Sequence, residues 1–177
     1  DLIKFKSDIY EIIGKYIYSE KDESLQQVII NILKEKGISL SVAESCTGGI
    51  ISKKITDIPG SSSVYKGGVI AYSNYLKIKL LNIDQSIIGK YGAVSKEVAS
   101  LMAEGIKNRT KSDIAIATTG ISGPSGGTQD KAVGLIYIAV SYNDETIIKK
   151  FNLIPKRNIH REIATSIALN MIRNILK

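Results

Sequence analysis

Residues 38 to 49, which indicate the fold most clearly, read Ile38-Ser39-Leu40-Ser41-Val42-Ala43-Glu44-Ser45-Cys46-Thr47-Gly48-Gly49. The first half of this stretch, residues 38–43, has the apolar character of a short strand. Residues 44–49 form a polar turn, and residues 50–56 after it have helical spacing. A strand, a tight turn and a helix in this order make half of a βαβ unit, which predicts parallel strands.

Strands and helices continue to alternate after this stretch. Strands are predicted over residues 64–72, 114–118, 132–142 and 145–153, and helices over residues 96–108 and 157–176. Gly67-Gly68 predicts a bulge or a close backbone approach, and Asn143-Asp144 predicts a hairpin. Because a hairpin joins antiparallel strands, we expect a three-layer α/β/α fold whose sheet is mixed but mostly parallel.

Two helical patterns precede this fold, and a polar break at residues 19–22 separates them. Gly37 is expected to cap the second of these helices at its C-terminus. We interpret residues 1–21 as a helical linker or the remnant of a preceding domain. Residues 22–177 are expected to form one domain, which is an ordinary length for a single hydrophobic core.

The composition excludes several classes of protein. With 44% hydrophobic and 23% charged residues, the chain can form a core, which excludes wholesale disorder. No apolar run reaches the roughly 18–20 residues that cross a bilayer. One cysteine excludes an internal disulfide and, by itself, a zinc site, and no signal segment opens the chain. We therefore expect a soluble cytoplasmic protein.

The formal charge of +7 suits an anionic partner, either a nucleic acid or a phosphorylated metabolite. The basic residues are scattered, however, and no aromatic residues interleave with them to form a stacking platform, so nucleic acid is not the expected partner. No group of His, Cys, Asp and Glu has the spacing of metal ligands. The composition therefore favours cofactor-free or small-ligand chemistry.

Three polar or glycine-rich loops follow predicted strands, at residues 44–49, 72–77 and 118–127. Since ligands of open α/β sheets bind at the carboxyl ends of strands, these loops could share one crevice. Ser45 lies in the first loop at a helix start, where free backbone amides can stabilise an oxyanion or a phosphate. Considered alone, such a serine is more often a plain N-cap. Cys46 is a rival nucleophile that ranks below Ser45, because a cysteine here is more often a small buried apolar residue.

A serine nucleophile needs a base, and the chain has one histidine. His160 lies in the last predicted helix, which carries Ile163, Ile167, Met171 and Ile175 on one face. We expect the His160 ring to be partly exposed, which argues against a Ser-His-Asp triad. A lysine with a lowered pKa is the remaining conventional base. Lys77, five residues after Tyr72, is the natural candidate, although spacing alone makes Lys79 its equal.

Residues 120–127 contain four glycines and one proline, so they must form a loop. The loop is not a Walker A motif, because no Lys-Ser or Lys-Thr follows at the required spacing. Its backbone amides could nevertheless hold a phosphate. So many glycines directly after a buried strand favour a functional loop over a simple surface connection.

Taken together, several segments resemble the CinA C-terminal domain family, the nicotinamide mononucleotide amidohydrolases. The segments are Ala43-Glu44-Ser45-Cys46-Thr47-Gly48-Gly49, Gly60-Ser61-Ser62, Tyr72-Ser73-Asn74 with Lys77, Gly92-Ala93-Val94-Ser95, residues 120–127 and Val133-Gly134. The resemblance covers the chain from Leu25 to the C-terminus. It implies metal-free, cofactor-free deamidation of nicotinamide mononucleotide to nicotinate mononucleotide and ammonia.

The resemblance also implies roles for individual residues. It assigns the nucleophile to Ser45, the base to Lys77 and an assisting hydroxyl to Tyr72. It implies a mononucleotide-binding set made of Cys46, Thr47, Gly48, Gly49, Ser61, Ser62, Thr119, Gly120, Gly123, Gly126, Gly127 and Arg157. Two-domain members of the family carry an N-terminal molybdopterin-cofactor-binding-like domain, so such a domain is an expected partner, and we expect a homo-oligomer.

The sequence departs from the family pattern at three positions. Ser122 and Ser125 stand where the family's glycine-rich loop commonly has alanine and aspartate, and Ala132 stands where a proline is common. A second hypothesis for the function therefore stays open. In it, the same crevice holds a phosphorylated ligand, regulates a partner domain and catalyses nothing.

Overall fold

The computed structural model describes residues 1–177 and contains one five-stranded sheet with helices on both faces. The strands are β1 (Leu40–Glu44), β2 (Tyr65–Ile70), β3 (Ile114–Gly120), β4 (Leu135–Tyr142) and β5 (Glu145–Asn152). The helices are α1 (Leu2–Ile13), α2 (Leu25–Lys36), α3 (Ile50–Thr56), α4 (Asn74–Leu81), α5 (Gln85–Tyr91), α6 (Lys96–Thr110) and α7 (Arg157–Leu176). Every predicted strand and helix is present, with ends shifted by a few residues, whereas helices α4 and α5 were not predicted.

The strand order in the sheet is β2-β1-β3-β4-β5. Strands β2, β1 and β3 are parallel, and β4 pairs antiparallel with both β3 and β5. Strand β4 is therefore the one strand that runs opposite to the others. The predicted mixed, mostly parallel sheet in a three-layer α/β/α fold is confirmed.

The two central strands are buried on both faces, because each face is covered by a helical layer. Helices α2, α3 and α7 cover one face and pack on large side chains such as Val42 and Ile116. Helices α4, α5 and α6 cover the other, where α6 packs on the small side chains of Ala43, Ala115 and Ala117. The alternation of large and small residues along β1 and β3 thus gives each face its own core.

Strand β2 lies at an edge of the sheet and contains the predicted bulge. Leu40 pairs with Tyr65, whereas the next residue of β1, Ser41, pairs with Gly67, which has a φ of +126°. A Cβ atom on Gly68 would lie 2.8 Å from the carbonyl oxygen of Val42. Both predictions for the glycine pair, a bulge and a close backbone approach, are confirmed.

The phase of the last helix is only partly the one that its apolar face predicts. Met171 of that face is buried, but Ile163, Ile167 and Ile175 are only half-buried. The other apolar residues of α7 that are buried in the core are Ala164, Ala168, Leu169, Ile172 and Leu176. Apolar residues lie on most sides of this helix, so their spacing did not single out the inward face. Packing on the sheet selects the face that carries small residues, which allow close approach.

Helix α1 buries no residue, and it precedes a connector that contacts the domain. The buried guanidinium of Arg173 in α7 donates to the carbonyl oxygens of Ile17 and Lys15, at 3.0 and 3.2 Å. Among the first 21 residues, those that follow α1 thus form the hydrogen bonds to the domain through Arg173. No helix in this structure is both long enough and apolar enough to span a bilayer.

Candidate active site

A cleft of about 170 Å³ opens at the carboxyl ends of β1 and β3 and at the turn between β2 and α4. Ser45, Tyr72, Lys77, Thr119, Gly120 and Arg157 all line it. These residues come from the three segments that the sequence predicted to meet, together with the start of α7. Residues 74–77 of the second segment belong to helix α4, however, and not to a loop. Because β2, β1 and β3 are parallel, the segments that follow them all lie at the carboxyl ends of the strands.

Ser45 and Lys77 are in direct contact in this cleft. The Nζ atom of Lys77 lies 3.0 Å from the Oγ atom of Ser45, and both residues are almost fully buried. The Nζ atom also donates to the carbonyl oxygens of Ala71, at 2.8 Å, and Tyr72, at 3.4 Å. In a neutral amine, two N–H bonds directed at these carbonyls leave the nitrogen lone pair to accept the Ser45 proton.

The surroundings of Lys77 favour this neutral form. Burial lowers its pKa to about 8, since desolvation disfavours the ammonium and no carboxylate contacts the Nζ atom. Lys79, the equal candidate by spacing, is exposed on the outer side of α4. The structure therefore distinguishes two lysines that the sequence could not.

The turn that carries Ser45 is held by Glu44, a buried residue that the sequence reasoning missed. Its carboxylate accepts the backbone N–H groups of Gly49, Ile51 and Ser52 at 2.8–3.2 Å, and the Ser52 hydroxyl at 2.7 Å. A carboxylate is favourable at this place, because the first amides of helix α3 have no helical partner. The signal for it was an acidic residue at the end of an otherwise apolar strand.

Arg161 of α7 holds the same turn from the other side and was also missed. Its guanidinium donates to the carbonyl oxygen of Thr47 at 2.7 and 3.1 Å, and to that of Gly48 at 3.4 Å. Gly48 has a φ of +59°, and a Cβ atom there would lie 2.7 Å from the guanidinium. With its carbonyls held by Arg161 and its later amides by Glu44, the turn has a defined conformation.

Three successive backbone N–H groups in this turn, those of Cys46, Thr47 and Gly48, donate to no group of the protein. The Ser45 N–H, by contrast, donates to the carbonyl oxygen of Thr118 at 3.0 Å. Free amides immediately after a nucleophile are the arrangement that stabilises an oxyanion. The geometry fits the expectation that free backbone amides near Ser45 can stabilise an oxyanion.

The side chains of the same segment face the interior. Thr47 is fully buried, and its hydroxyl lies 2.8 Å from that of Thr118. Cys46 belongs to the larger core cluster, and burial raises the pKa of its thiol to about 12. A thiol with this pKa is almost entirely protonated at neutral pH, so Cys46 lacks the thiolate that a nucleophile needs.

Tyr72 and Arg157 form one rim of the cleft. An Nη atom of Arg157 donates to the Tyr72 hydroxyl at 3.0 Å, and the other donates to the carbonyl oxygen of Gly123 at 3.3 Å. Arg157 thus links the turn after β2 to the glycine-rich loop. Both side chains are exposed, so a ligand could reach them from solvent.

The glycine-rich loop borders the cleft only with its first residues. Gly120 and Ser122 line the cleft, whereas Gly126 and Gly127 are exposed farther out. Thr119 also lines it and donates its hydroxyl proton to the carbonyl oxygen of Ala93 at 2.8 Å. The backbone N–H groups of Ser122, Gly123, Ser125, Gly126 and Gly127 donate to no protein group. The loop therefore offers amides to an anion just outside the cleft.

The structure does not bring Ser61 and Ser62 to this cleft. They precede Val64, whose carbonyl oxygen accepts from the N–H of Leu40, the first residue of β1. Ser45 follows the last residue of the same strand. The two serines therefore lie at the opposite end of the sheet, where the local glycine-serine pattern forms a short helical turn that leads into β2.

The expectation that His160 is partly exposed is wrong. Its ring is completely buried, with Nδ1 2.9 Å from the Oγ of Ser122 and Nε2 3.2 Å from the carbonyl oxygen of Gly134. His160 lies one turn into α7 and faces inward because α7 packs on the sheet in the phase described above. No group of three or more His, Cys, Asp or Glu side chains could hold a metal ion.

Two curated relatives illustrate the similarity in sequence. A CinA-like protein from Dictyoglomus turgidum is 45% identical over 166 residues, which are 94% of this chain and 40% of the relative. A CinA-like protein from Acidobacterium capsulatum is 45% identical over 170 residues, 96% of this chain and 41% of the relative. The chain thus spans about 40% of the length of these relatives.

Solved structures share the fold. The competence/damage inducible protein CihA from Agrobacterium tumefaciens matches with a TM-score of 0.84 and 34% identity, over 86% of this chain and 94% of that one. A CinA superfamily protein from Escherichia coli matches with a TM-score of 0.84 and 26% identity, over 92% and 98%. The sequence profile of the CinA C-terminal domain matches residues 22–176. The chain belongs to the CinA C-terminal domain family.

Proposed function

We propose that this domain hydrolyses the carboxamide of nicotinamide mononucleotide to nicotinate mononucleotide and ammonia. The observation that carries the proposal is the contact of the Ser45 hydroxyl with a buried lysine amine whose pKa is lowered to about 8. A serine next to such an amine is the nucleophile-base pair of acyl transfer. Membership of the CinA family and the resemblance described above supply the substrate.

The first half of the reaction forms an ester with Ser45. The neutral Lys77 amine accepts the Ser45 proton while the Oγ atom attacks the carboxamide carbon. The N–H groups of residues 46–48 hold the oxyanion of the tetrahedral intermediate. The C–N bond then breaks as the Lys77 ammonium returns the proton to the leaving nitrogen, which departs as ammonia.

The second half of the reaction releases the acid. Water attacks the ester carbon, and Lys77 takes a proton from this water. Collapse of the second tetrahedral intermediate breaks the bond to Ser45, whose oxygen recovers the proton from Lys77. The new carboxylic acid gives up its remaining proton to the solvent, where the released ammonia can take it up, and leaves as nicotinate. Both Ser45 and Lys77 return to their starting forms.

The size of the cleft decides which part of a mononucleotide it can enclose. Its volume of about 170 Å³ is below the roughly 300–1,000 Å³ of sites that enclose whole ligands. We therefore place the pyridine carboxamide inside, and the ribose phosphate at the rim. There Arg157 and the free amides of the glycine-rich loop offer donors to the phosphate.

Ammonia release is the decisive measurement. The purified protein is incubated with nicotinamide mononucleotide, with free nicotinamide as the substrate control and a Ser45→Ala variant as the protein control. We expect ammonia and nicotinate mononucleotide in equal amounts, from the mononucleotide and the unmodified protein only. Tight binding of the mononucleotide without ammonia would contradict the proposal and favour the non-catalytic binding module.

A further inference from the structure

The buried pair of Ser122 and His160 lies against the cleft but has no part in the reaction described above. Ser122 lines the cleft with Ser45 and Lys77 and is 5% exposed, and His160 lies directly behind it with no exposed surface. Burying two polar side chains costs free energy unless their hydrogen bonds are satisfied. Here both side chains have hydrogen-bond partners within the fold, and the donor and the acceptor of each bond can be assigned.

The backbone partner of the His160 ring determines which atom donates in each of these hydrogen bonds. The carbonyl oxygen of Gly134 can only accept, so the His160 Nε2 atom, 3.2 Å away, carries a proton. Burial lowers the pKa of His160, which favours the neutral ring and leaves Nδ1 without a proton. Nδ1 must therefore accept, and the Ser122 hydroxyl, 2.9 Å away, must donate.

The hydroxyl proton of Ser122 is thus committed to the ring behind it. What Ser122 can still offer to a ligand in the cleft is the lone pairs of its oxygen. We propose that the His160-Ser122 pair makes Ser122 a hydrogen-bond acceptor that binds the NH₂ group of the substrate carboxamide and so selects an amide over a carboxylate. This inference rests on the proposed function, whose substrate and product differ in that group alone.

The selection follows from the donor content of the two ligands. A carboxamide has two N–H donors, whereas an ionised carboxylate has none and presents only lone pairs. The Ser122 oxygen, which can only accept, gains a hydrogen bond from the amide. With the acid, the same oxygen faces a carboxylate oxygen that also carries a negative partial charge, and the two repel each other. Ser122 is then a specificity-determining residue that favours substrate and disfavours product, and His160 is a positioning residue that acts through it.

Binding to a protein that cannot turn over tests this directly. In a Ser45→Ala background, isothermal titration calorimetry measures the affinity for nicotinamide mononucleotide and for nicotinate mononucleotide. Adding Ser122→Ala should weaken binding of the amide roughly three- to tenfold, the value of one neutral hydrogen bond. The affinity for the acid should stay the same or rise. Ser166→Ala, an exposed serine on α7, is the matched control and should change neither affinity.

Two substitutions of His160 test its positioning role. In His160→Asn, the side-chain oxygen lies near the position of Nδ1 and can still accept the Ser122 proton, so the preference for the amide should persist. His160→Gln places an N–H group near Nε2 and lacks that acceptor, so the preference should fall as it does in Ser122→Ala. A role of His160 in packing alone would make the two variants behave alike. Should either variant fail to fold, the Ser122→Ala result decides by itself.

The possible outcomes separate this inference from the proposed function. Equal weakening of amide and acid by Ser122→Ala, or no weakening of the amide, overturns the inference even where the unmodified protein releases ammonia. Loss of the preference in a protein that releases no ammonia supports the inference and overturns the proposed hydrolysis.

Discussion

The Nζ atom of Lys77 lies 3.0 Å from the Oγ atom of Ser45, across 32 positions of the chain, and it is held there by the carbonyl oxygens of Ala71 and Tyr72. The lysine comes from the inner side of α4 and the serine from the turn after β1. These two elements meet at the carboxyl ends of the parallel strands, and their contact is the central one of the candidate site.

The two lysines of α4 provide a matched pair of substitutions. Lys77→Met removes the base but keeps an apolar stem of similar length, so we expect kcat to fall by about 10²-fold or more. Lys79→Met changes an exposed side chain of the same helix and should leave kcat within about twofold. Steady-state ammonia release measures both, and an inactive Lys79 variant beside an active Lys77 variant would disprove the assignment of the base.

The pH dependence of the reaction should report the lowered pKa of Lys77. With a pKa of about 8, roughly a tenth of the amine is neutral at pH 7 and nearly all of it at pH 9. We expect kcat/KM to rise about tenfold per pH unit below that value and to level off above it. A rate profile measured from pH 6 to pH 9.5 checks this. A flat profile across the range is incompatible with a lysine base of this pKa.

Folding stability should depend on pH through the same residue. The Lys77 pKa is about 8 in the folded protein and 10.5 as its ordinary value. Between pH 8 and pH 10.5 the unfolded chain binds more protons than the folded protein. The contribution of Lys77 to the free energy of unfolding is therefore highest above pH 10.5 and falls as the pH drops to about 8. The free energy of unfolding, relative to Lys77→Met, should therefore rise by up to about 1.4 kcal/mol per pH unit in this window. Urea unfolding of both proteins at pH 8 and pH 10 measures the difference, and a difference that falls with pH would contradict the burial of the amine.

Cys46 should be dispensable for turnover. Its thiol has a pKa raised to about 12 by burial in the core, so it supplies almost no thiolate at neutral pH. Cys46→Ala should keep kcat within a few fold and lose about 1 kcal/mol of stability from the smaller side chain. Iodoacetamide at neutral pH should leave the unmodified enzyme active. Rapid inactivation by this reagent that the Ala variant escapes would move the nucleophile to Cys46.

Arg157 should distinguish substrates by their phosphate. Loss of a charged hydrogen-bond donor in Arg157→Ala should lower kcat/KM for nicotinamide mononucleotide roughly ten- to hundredfold. Nicotinamide riboside lacks the phosphate, should be the poorer substrate and should respond within about twofold. Tyr72→Phe is the comparison, because it removes the hydroxyl that Arg157 contacts and leaves the guanidinium in place. Any loss of the assisting hydroxyl that the resemblance assigns to Tyr72 should affect both substrates alike, whereas loss of Arg157 should affect the mononucleotide selectively. If both variants affected both substrates equally, Arg157 would act through Tyr72 and not on the phosphate.

The alternating strands and helices were predictable because the signals for them are local. Helix α3 and helix α7 begin and end where the apolar spacing and the flanking turn residues predict, and Gly37 caps α2 as expected. The hairpin of β4 and β5 and the bulge at Gly67 follow from short patterns as well. Capping, turn chemistry and hydrophobic periodicity involve residues only a few positions apart, so the sequence alone carries them.

The assembly of the site depends on contacts that no local pattern contains. Residues 77 and 79 lie on opposite sides of one helical turn, and apolar residues surround both, so only the packing of α4 against α6 determines which amine is buried. Glu44 at the end of β1 and Arg161 of α7 likewise both bind the turn that carries Ser45, although they are far apart in the sequence.

Local patterns in the sequence account for the five strands, for the helices other than α4 and α5, for the glycine-rich loops and for the choice of the serine that follows β1. The tertiary structure alone decided which lysine meets that serine, that Ser61 and Ser62 lie at the far end of the sheet, and that His160 is buried behind Ser122. The physical reason is that burial and lowered pKa values arise from groups brought together across the fold, and a side chain's neighbours in space are set by how whole helices pack on the sheet.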